Sequence, residues 1–526
     1  MWVPGAHPRI RYVGAKPALF ILTHALNSSR TPRRYAMFDP ELLEKRKALL
    51  AQGIDPYPYS FERSHTLCET RQAQVELLGK DVSVAGRLVA YRGAGKLVFA
   101  DLGDFEGRLQ VMFRKNCYSD QLWDVIQRQL DLGDLLGVRG QLFITKMGEL
   151  TVEAREVEVL SKTVVRVPIP KSKDDRTFFQ LSDAETKYRE RYLHWITDPA
   201  AREVVVTRAR VISRIRTFLE SRGFVEVTTP TIEMSYGGAE ARPFTTGIHA
   251  LSNQEAYLRI SPELALKRFI AGGFEKVFTI CQNFRNEGID RSHNPEFTML
   301  EWYEAYTDYT YQMEQFEALV SSVAREVTGG YKVLYEGTEI DFTPPWRRIT
   351  VLGALKDIGV DAGALGESEL REEMDKRGVA PPRPWSWGHA VAELFSALVE
   401  KTIVQPTFIC DHPIDISPLT KKKRGDDRLV ERFEPAVAGM EIGNAYSELT
   451  DPVEQRERFE RQQAMGADRE GIEHHPIDED FIKAVGCGMP PTGGVGLGID
   501  RLVMLLTDSH SIRDVIAFPM MKPRDR

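Results

Sequence analysis

The stretch 276–306 is the feature that most constrains how this chain can fold. Residues 276–285 alternate in character with a period of two, and residues 296–303 do the same, which is typical of β-strands. Residues 286–295 between them are rich in glycine, asparagine, aspartate, serine and proline, a composition that favours a turn. The sequence therefore predicts a long antiparallel hairpin with a polar loop.

Charged and aromatic side chains crowd this predicted loop and its flanks. Arg285 and Arg291 offer guanidinium groups that suit phosphate, and His293 adds a further donor. Glu287 can accept hydrogen bonds from amino or ring-nitrogen groups, and Phe297 offers a face for a flat ring. These residues favour a nucleotide site. A solvated hairpin tip whose charges pair with one another explains this stretch alone equally well.

Two glutamates further along suggest a metal site. Glu434 and Glu441 are flanked by small apolar residues, and alternation over 435–442 predicts a strand. Such carboxylates can bind Mg²⁺ together with water and phosphate oxygens, because this hard cation keeps few protein ligands. Two glutamates on a strand are more often ordinary surface residues.

A glycine-rich segment, 490–500, runs into an apolar helix with Arg501 in its first turn. Glycines let a ligand approach the backbone, and the helix start adds a positive field beside the arginine. The segment therefore predicts a site for a distal phosphate, although the glycines also suit tight packing. Their spacing does not match the dinucleotide pattern GxGxxG.

Composition sets limits on the partners of the chain. The 526 residues carry a net charge of −7, so any RNA contact requires a local basic face. The longest apolar runs are too short to span a membrane. The five cysteines have no metal-ligand spacing, which favours reduced thiols and a cytoplasmic protein.

Changes in composition predict five regions. Residues 1–36 are rich in arginine and lack acids, which suggests a leader without regular structure or a true start at Met37. An N-terminal helix is predicted within 37–70, and five short strands with one helix within 71–165 predict an OB-fold barrel. A linker at 166–197 precedes a second domain, 198–526, with a helical insertion near 349–403.

The hairpin sequence RNEGIDRSHNPEFTMLEWYEAY resembles motif 2 of the class II aminoacyl-tRNA synthetases. The helix, strand and proline of 204–230 resemble motif 1, and PPTGGVGLGIDRLVMLL at 490–506 resembles motif 3. GGAEARPF at 237–244 and EIGNAYSELTDP at 441–452 resemble segments of the lysyl members of this family. The resemblance implies an α+β fold with an antiparallel-sheet catalytic domain behind an OB-fold β-barrel, and a homodimer.

The resemblance also implies an activity and its site. The substrates would be ATP, L-lysine and tRNA(Lys), with Mg²⁺ as cofactor. Arg285 and Arg501 would be catalytic, on the α- and γ-phosphates. The implied ATP-binding residues are Arg285, Glu287, His293, Phe297, Glu434, Glu441 and Arg501, with Glu434 and Glu441 also holding the metal.

By the same resemblance, Glu448 and Tyr303 would bind the side-chain ammonium of lysine, because an enclosed carboxylate and a hydroxyl suit a cation. The full set implied for lysine is Gly237, Glu263, Tyr303, Asn444, Tyr446 and Glu448. Anticodon reading would fall to Arg92, Phe99 and Gln110 in the barrel, although strand aromatics such as Phe99 more often belong to a core.

Two residues depart from the resemblance, and three other functions remain open. Glu240 stands where a small or apolar residue is usual, and Met440 stands where an arginine is common. The alternatives are an aspartyl- or asparaginyl-type enzyme, a lysyl transferase acting on a protein, and a non-catalytic RNA-binding paralogue. Glu448 disfavours the first alternative and the barrel disfavours the second. The presence of Arg285 and Arg501 disfavours the third.

Overall fold

The computed structural model describes residues 37–173, 176–178, 181, 183–466 and 477–523. The predicted leader, 1–36, lies outside the described residues. The chain divides into two compact units, 1–169 and 170–526. Among the described residues, no helix is both long and apolar enough to cross a membrane.

The first unit is built on a closed five-stranded barrel in the order β1-β2-β3-β5-β4, which confirms the predicted OB-fold. Its strands are β1 (Asp81–Ala94), β2 (Leu97–Gly103), β3 (Arg108–Arg114), β4 (Leu135–Ile144) and β5 (Leu150–Ser161). Alternate residues fill the barrel, as on β2, where Val98, Ala100 and Leu102 are buried. Its helices are α1 (Pro40–Ala51), α2 (Leu67–Gln72), α3 (Gln74–Leu77) and α4 (Asp120–Asp124).

The second unit is built on a sheet that joins ten strands. Its main path runs β16-β17-β19-β21-β22-β13-β12-β8, antiparallel except at the two ends. The strands of this unit are β6 (Lys171–Lys173), β7 (Arg176–Phe178), β8 (Val225–Glu226), β9 (Ile232–Glu233), β10 (Phe244–Ile248), β11 (Gln254–Leu258), β12 (Lys276–Phe284), β13 (Glu296–Ala305), β14 (Lys332–Tyr335), β15 (Thr338–Asp341), β16 (Arg347–Thr350), β17 (Thr407–Pro413), β18 (Lys422–Lys423), β19 (Asp426–Val437), β20 (Met440–Glu441), β21 (Gly443–Ser447) and β22 (Thr492–Gly498).

Helices pack against this sheet and enclose its largest apolar core, to which α7, α9 and α15 contribute buried side chains. The helices are α5 (Ala184–Arg189), α6 (Arg191–Thr197), α7 (Pro199–Glu220), α8 (Glu263–Ala271), α9 (Tyr309–Thr328), α10 (Val351–Asp357), α11 (Glu367–Arg377), α12 (Trp387–Leu398), α13 (Pro452–Gly466), α14 (Glu479–Gly486), α15 (Ile499–Leu506) and α16 (Ile512–Val515). Helices α10, α11 and α12 fall within the stretch predicted as a helical insertion.

The predicted hairpin is confirmed, and the predicted strand over 435–442 is wrong. Strands β12 and β13 pair in antiparallel register from Lys276 with Glu304 to Phe284 with Glu296. The chain instead turns after β19 and returns as β20, because Ala438 and Gly439 adopt left-handed φ angles of 51° and 70°. Glu434 and Glu441 therefore lie on two neighbouring strands.

Candidate active site

One cavity of about 580 Å³ opens beside the hairpin in the second unit. Its walls come from β13, β21 and β22, from the hairpin loop, from the start of α8 and from residues 236–240. Of the residues predicted to bind ATP and lysine, those lining the cavity are Gly237, Glu263, Arg285, Glu287, His293, Phe297, Tyr303, Glu434, Glu441, Asn444, Tyr446 and Arg501. Glu448 is fully buried and lies just behind the cavity wall formed by Tyr303 and Gly494.

Arg285 leaves the end of β12 and points its side chain into the cavity. Its backbone N–H donates to Pro295 O at 2.9 Å, which closes the base of the loop. The guanidinium carbon lies 5.1 Å from the centroid of the Phe297 ring. Arg285 Nε is buried without a hydrogen-bond partner among the described residues, and burial lowers the pKa of the group. The site therefore holds a buried donor that an anion would satisfy.

Arg501 lies in the first turn of α15 on the other side of the cavity. Its Nη1 donates to Glu441 O at 2.5 Å, and its Nη2 lies 3.4 Å from His293 Nε2. The neighbouring Asp500 is buried and accepts the Thr298 backbone N–H at 2.7 Å. This bond ties the start of α15 to β13, so the two predicted phosphate arginines are held by neighbouring elements.

Some charged side chains of the hairpin loop line the cavity, and others make contacts elsewhere. Arg291 pairs with Glu336 and donates to His510 O, so it is not among the residues that line the cavity. His293 lines the cavity, and its Nδ1 lies 2.8 Å from Asp290 Oδ2. The alternative of loop charges that pair with one another therefore holds for Asp290 and His293, whereas Arg291 pairs outside the hairpin and Arg285 faces the cavity.

The two predicted metal ligands face the cavity from β19 and β20. Arg432 Nη2 donates to Glu434 Oε1 at 2.5 Å, and Arg501 Nη1 lies 3.7 Å from Glu441 Oε2. Burial and the neighbouring Glu434 raise the pKa of Glu441 to about 7. Within the described ranges, no group of three or more His, Cys, Asp or Glu side chains forms a metal cluster. Two carboxylates with room for water and phosphate oxygens nevertheless suit Mg²⁺.

A second group of glutamates forms the opposite end of the cavity. Glu263 is the first residue of α8, and its Oε2 accepts from the Tyr446 hydroxyl at 3.1 Å. Glu301 on β13 accepts from the Ser261 hydroxyl at 3.0 Å and from the Tyr303 hydroxyl at 3.3 Å. Burial and the nearby Glu263 carboxylate raise the pKa of Glu301 to about 8.

Glu448 is the most enclosed of these carboxyl groups. Burial raises its pKa to about 8, and Lys267 opposes that shift. Glu448 Oε1 has no hydrogen-bond partner in the part of the chain that the structure describes. A methyl group at Gly494 would lie 1.9 Å from this oxygen and 2.5 Å from Tyr303 Cε1. The glycine therefore lets both predicted side-chain ligands pack directly against the backbone of β22.

Asn444 and Gly237 complete the predicted lysine set. Asn444 Oδ1 accepts from Arg432 Nε at 2.9 Å, which leaves its amide N–H₂ as a donor. A methyl group at Gly237 would lie 2.7 Å from Leu264 Cδ1, so another residue here would require the Leu264 side chain to move. Glu240 is exposed at the rim of the cavity, whereas Met440 packs against the core of the sheet.

Sequence reasoning missed four residues of this site: Lys267, Glu301, Arg432 and Gly494. Lys267 Nζ lies 2.6 Å from Glu263 Oε1 and 2.5 Å from Glu448 Oε2. Glu263 and Lys267 are four residues apart, a spacing that brings two side chains together on one face of a helix and was an available signal. Such pairs are common on exposed helix faces, and burial is what sets this one apart.

In the first unit, the three predicted anticodon residues share the outer face of the barrel. Arg92 on β1 is the register partner of Phe99 on β2, and Asp101, two residues along, is the partner of Gln110 on β3. Phe99 is half-buried and points away from the barrel core. Arg92 Nη2 lies 3.1 Å from Asp101 Oδ1. An aromatic face with a cation and an amide beside it suits an unstacked base.

Each of the two units matches a known protein family. Residues 183–522 match the family model described as tRNA synthetases class II (D, K and N), and residues 82–160 match the OB-fold nucleic acid binding domain. The chain is similar to the lysine–tRNA ligase of Pelotomaculum thermopropionicum, with 46% identity over 92% of this chain and 96% of the relative. The lysine–tRNA ligase of Moorella thermoacetica is 47% identical over 92% and 97%, respectively. Lysine–tRNA ligase 2 of Methanosarcina acetivorans is 45% identical over 93% and 95%. The chain therefore belongs to the class II tRNA synthetase family of the D, K and N type.

Proposed function

We propose that this chain is a lysine–tRNA ligase, which activates L-lysine with ATP and transfers the lysyl group to the 3′ end of tRNA(Lys). The observation that carries the proposal is the enclosed Glu448 carboxylate, whose Oε1 lacks a hydrogen-bond partner among the described residues. The relatives that align over more than nine-tenths of the chain carry the same activity in their names.

The enclosed carboxylate gives a physical reason for lysine specificity. The side-chain ammonium of lysine would donate to Glu448 Oε1 and to the Tyr303 hydroxyl, whereas a neutral side chain would leave this buried oxygen without a donor. Aspartate would bring a second negative charge to the same place, which disfavours the aspartyl alternative. The α-amino group would reach Glu263, and the amide of Asn444 would hold the carboxylate.

Activation needs positioning more than proton transfer. The lysine carboxylate is already ionised, so it attacks the α-phosphorus of ATP in line, and pyrophosphate leaves. Arg285, with its unpartnered Nε, would hold the α-phosphate, and Arg501 would hold the γ-phosphate. Phe297 would stack on the adenine, with Glu287 and His293 beside it. These cations stabilise charge that grows on the phosphates as the bond breaks.

Glu434 and Glu441 are the residues that would hold Mg²⁺. Their carboxylates face the cavity from neighbouring strands near both arginines. When bound, the ion would neutralise phosphate charge. Arg432 orients Glu434 by the bond to its Oε1 and leaves Oε2 for the ion.

In the second reaction, the terminal ribose hydroxyl of tRNA attacks the lysyl carbonyl, and AMP leaves. Arg92, Phe99 and Gln110 would read the anticodon. If so, an Arg92→Ala/Phe99→Ala variant has a tRNA KM raised by about tenfold or more, with lysine-dependent pyrophosphate exchange unchanged. A homodimer and a cytoplasmic location remain predictions.

The proposed activity is tested by lysine-dependent ATP–pyrophosphate exchange with wild type, Arg285→Ala and Arg291→Ala. The two arginines belong to the same loop, but Arg291 pairs with Glu336 outside the cavity. We expect Arg285→Ala to lower kcat by about 10²-fold or more and Arg291→Ala to change it little. Equal losses would contradict the assigned role of Arg285, and no exchange by wild type would favour the non-catalytic paralogue.

A further inference from the structure

Lys267 is a buried cation that the mechanism above does not use. It lies one helical turn after Glu263 on α8, and its side chain is 0% exposed. Its Nζ bridges Glu263 Oε1 at 2.6 Å and Glu448 Oε2 at 2.5 Å. Although burial opposes it, the two carboxylates hold the pKa of Lys267 above its ordinary value. Lys267 is therefore charged, and it lies between two of the predicted lysine ligands.

The groups around Lys267 are unequal in charge. Three carboxyl groups, Glu263, Glu301 and Glu448, interact with one another there. The Tyr303 and Tyr446 hydroxyls and the Ser261 hydroxyl are neutral, since burial raises the pKa of both tyrosines well above the usual value. Helix α14 presents the apolar ring of Phe481 to Lys267 at 6.0 Å. With the three carboxyl groups ionised, the cluster has three negative charges and one positive charge, that of Lys267. It therefore lacks two positive charges.

More distant charges do not close this deficit. Arg285 acts on Glu301, and Arg432 acts on Tyr446. Arg432 is engaged by Glu434 and Asn444, and Arg285 belongs to the phosphate end of the cavity. In the empty pocket, protons on Glu301 and Glu448 close the deficit, because the pKa values of both groups are raised to about 8. Once all three carboxyl groups are ionised, the two missing positive charges must come from a ligand.

We propose that Lys267 is the resident countercharge of the lysine pocket: it neutralises one of three carboxylates and leaves two for the two ammonium groups of free lysine. This inference rests on the proposed function, because it assigns a further specificity determinant to the same site. An amino acid with a single ammonium group leaves one buried carboxylate charge without a partner, which is costly.

Lys267 also orients the carboxylates that it neutralises. By taking Glu448 Oε2, it leaves Oε1 beside Gly494 without a hydrogen-bond partner among the described residues. By taking Glu263 Oε1, it leaves Oε2 to the Tyr446 hydroxyl and the cavity. Lys267 is thus a positioning residue, because it acts on the substrate through the two glutamates.

The test is Lys267→Met, with Lys276→Met as its matched control. Lys276 also pairs with a buried glutamate, Glu304, at 2.8 Å, but Glu304 does not line the cavity, whereas Glu263 does. We expect Lys267→Met to raise the KM for lysine about 10- to 100-fold at pH 7, with kcat and the KM for ATP within about threefold. The control should leave the KM for lysine unchanged.

The pH profile separates a countercharge from a merely structural side chain. Removing a cation raises the pKa of neighbouring carboxyl groups, so the profile of 1/KM for lysine should move to higher pH by about one unit in Lys267→Met. A profile that keeps its wild-type position overturns the proposal, as does an unchanged KM. Wild-type lysine-dependent exchange tests the underlying function independently.

A second variant keeps the test decisive if Lys267→Met does not fold. The double variant Lys267→Met/Glu301→Gln removes one charge of each sign, so two carboxylates remain for two ammonium groups. Its profile should return to within about half a pH unit of wild type. A double variant whose profile still lies about one pH unit above that of wild type would overturn the proposal.

Discussion

Two groups of glutamates share one cavity and differ in how far water reaches them. At the lysine end, the side chains of Glu263 and Glu448 are 3% and 0% exposed. At the metal end, those of Glu434 and Glu441 are 19% and 40% exposed. The first group contains its own buried lysine, and the second has arginines at its edge.

The difference explains how one residue type serves two kinds of ligand. A buried carboxylate next to Lys267 and tyrosine hydroxyls suits ammonium groups, because these can donate all their hydrogen bonds to protein oxygens without water. A carboxylate that water can reach suits Mg²⁺, which usually keeps several waters. Exposure, rather than residue type, therefore separates the two roles in this site.

The largest expected effect comes from removing the charge of the most buried glutamate. Glu448→Gln keeps the shape of the side chain but offers no negative charge to lysine. We expect kcat/KM for lysine to fall by about 10³-fold, with the KM for ATP unchanged, as measured by pyrophosphate exchange. If the KM for ATP rose as much as that for lysine, the two ends of the cavity would not be separate.

The matching change at the other end is Glu441→Gln. Here kcat should fall by about 10²-fold at low Mg²⁺, with partial recovery as Mg²⁺ is raised, because one ligand is weakened. The KM for lysine should stay within about threefold of wild type. Exchange measured across a Mg²⁺ titration checks both values, and a loss that no concentration of Mg²⁺ relieves would contradict the metal assignment.

A smaller effect should follow from Gly494→Ala. The added methyl group would overlap Glu448 Oε1 and Tyr303, so both ligands must move, and kcat/KM for lysine should fall about 30-fold. Gly498→Ala on the same strand is the control, since its nearest neighbour would be 3.6 Å away. Equal effects of the two substitutions on lysine affinity would contradict the packing described at Gly494.

The pH dependence of lysine binding gives the mildest test. The pKa values of Glu301 and Glu448 are raised to about 8 in the empty pocket, and paired ammonium groups would lower them in the complex. Lysine binding therefore releases protons, and the affinity rises as pH approaches 8. Between pH 6 and pH 7 the KM should fall about tenfold for each proton released. Calorimetry in two buffers would count the protons, and no release at pH 7 would contradict these shifts.

The sequence predicted the hairpin and the barrel well because alternation and turn residues are local signals. The structure brings the predicted ATP residues together in one cavity with Glu263, Tyr303 and Asn444. These residues come from segments more than one hundred positions apart, and their convergence followed from the family resemblance rather than from spacing. Residue roles in this site stay proposals.

The predicted strand over 435–442 failed because alternation continued through a turn. Gly439 was the overlooked signal, since glycine adopts positive φ at little cost. Lys267 and Glu301 were missed for another reason: each has apolar sequence neighbours, but these do not reveal which distant side chains it faces. Only the approach of β13, β21 and α8 places Glu301, Tyr446 and Lys267 around one space.

The central claim, that a buried carboxylate selects lysine, is tested most directly by a screen of ATP–pyrophosphate exchange. Wild-type protein is assayed with each standard amino acid in turn at neutral pH, without tRNA. The account predicts strong exchange with lysine and weak or no exchange with the other amino acids. Equal or stronger exchange with aspartate, asparagine or any neutral amino acid would contradict the role given to Glu448, and no exchange at all would contradict the proposed activity.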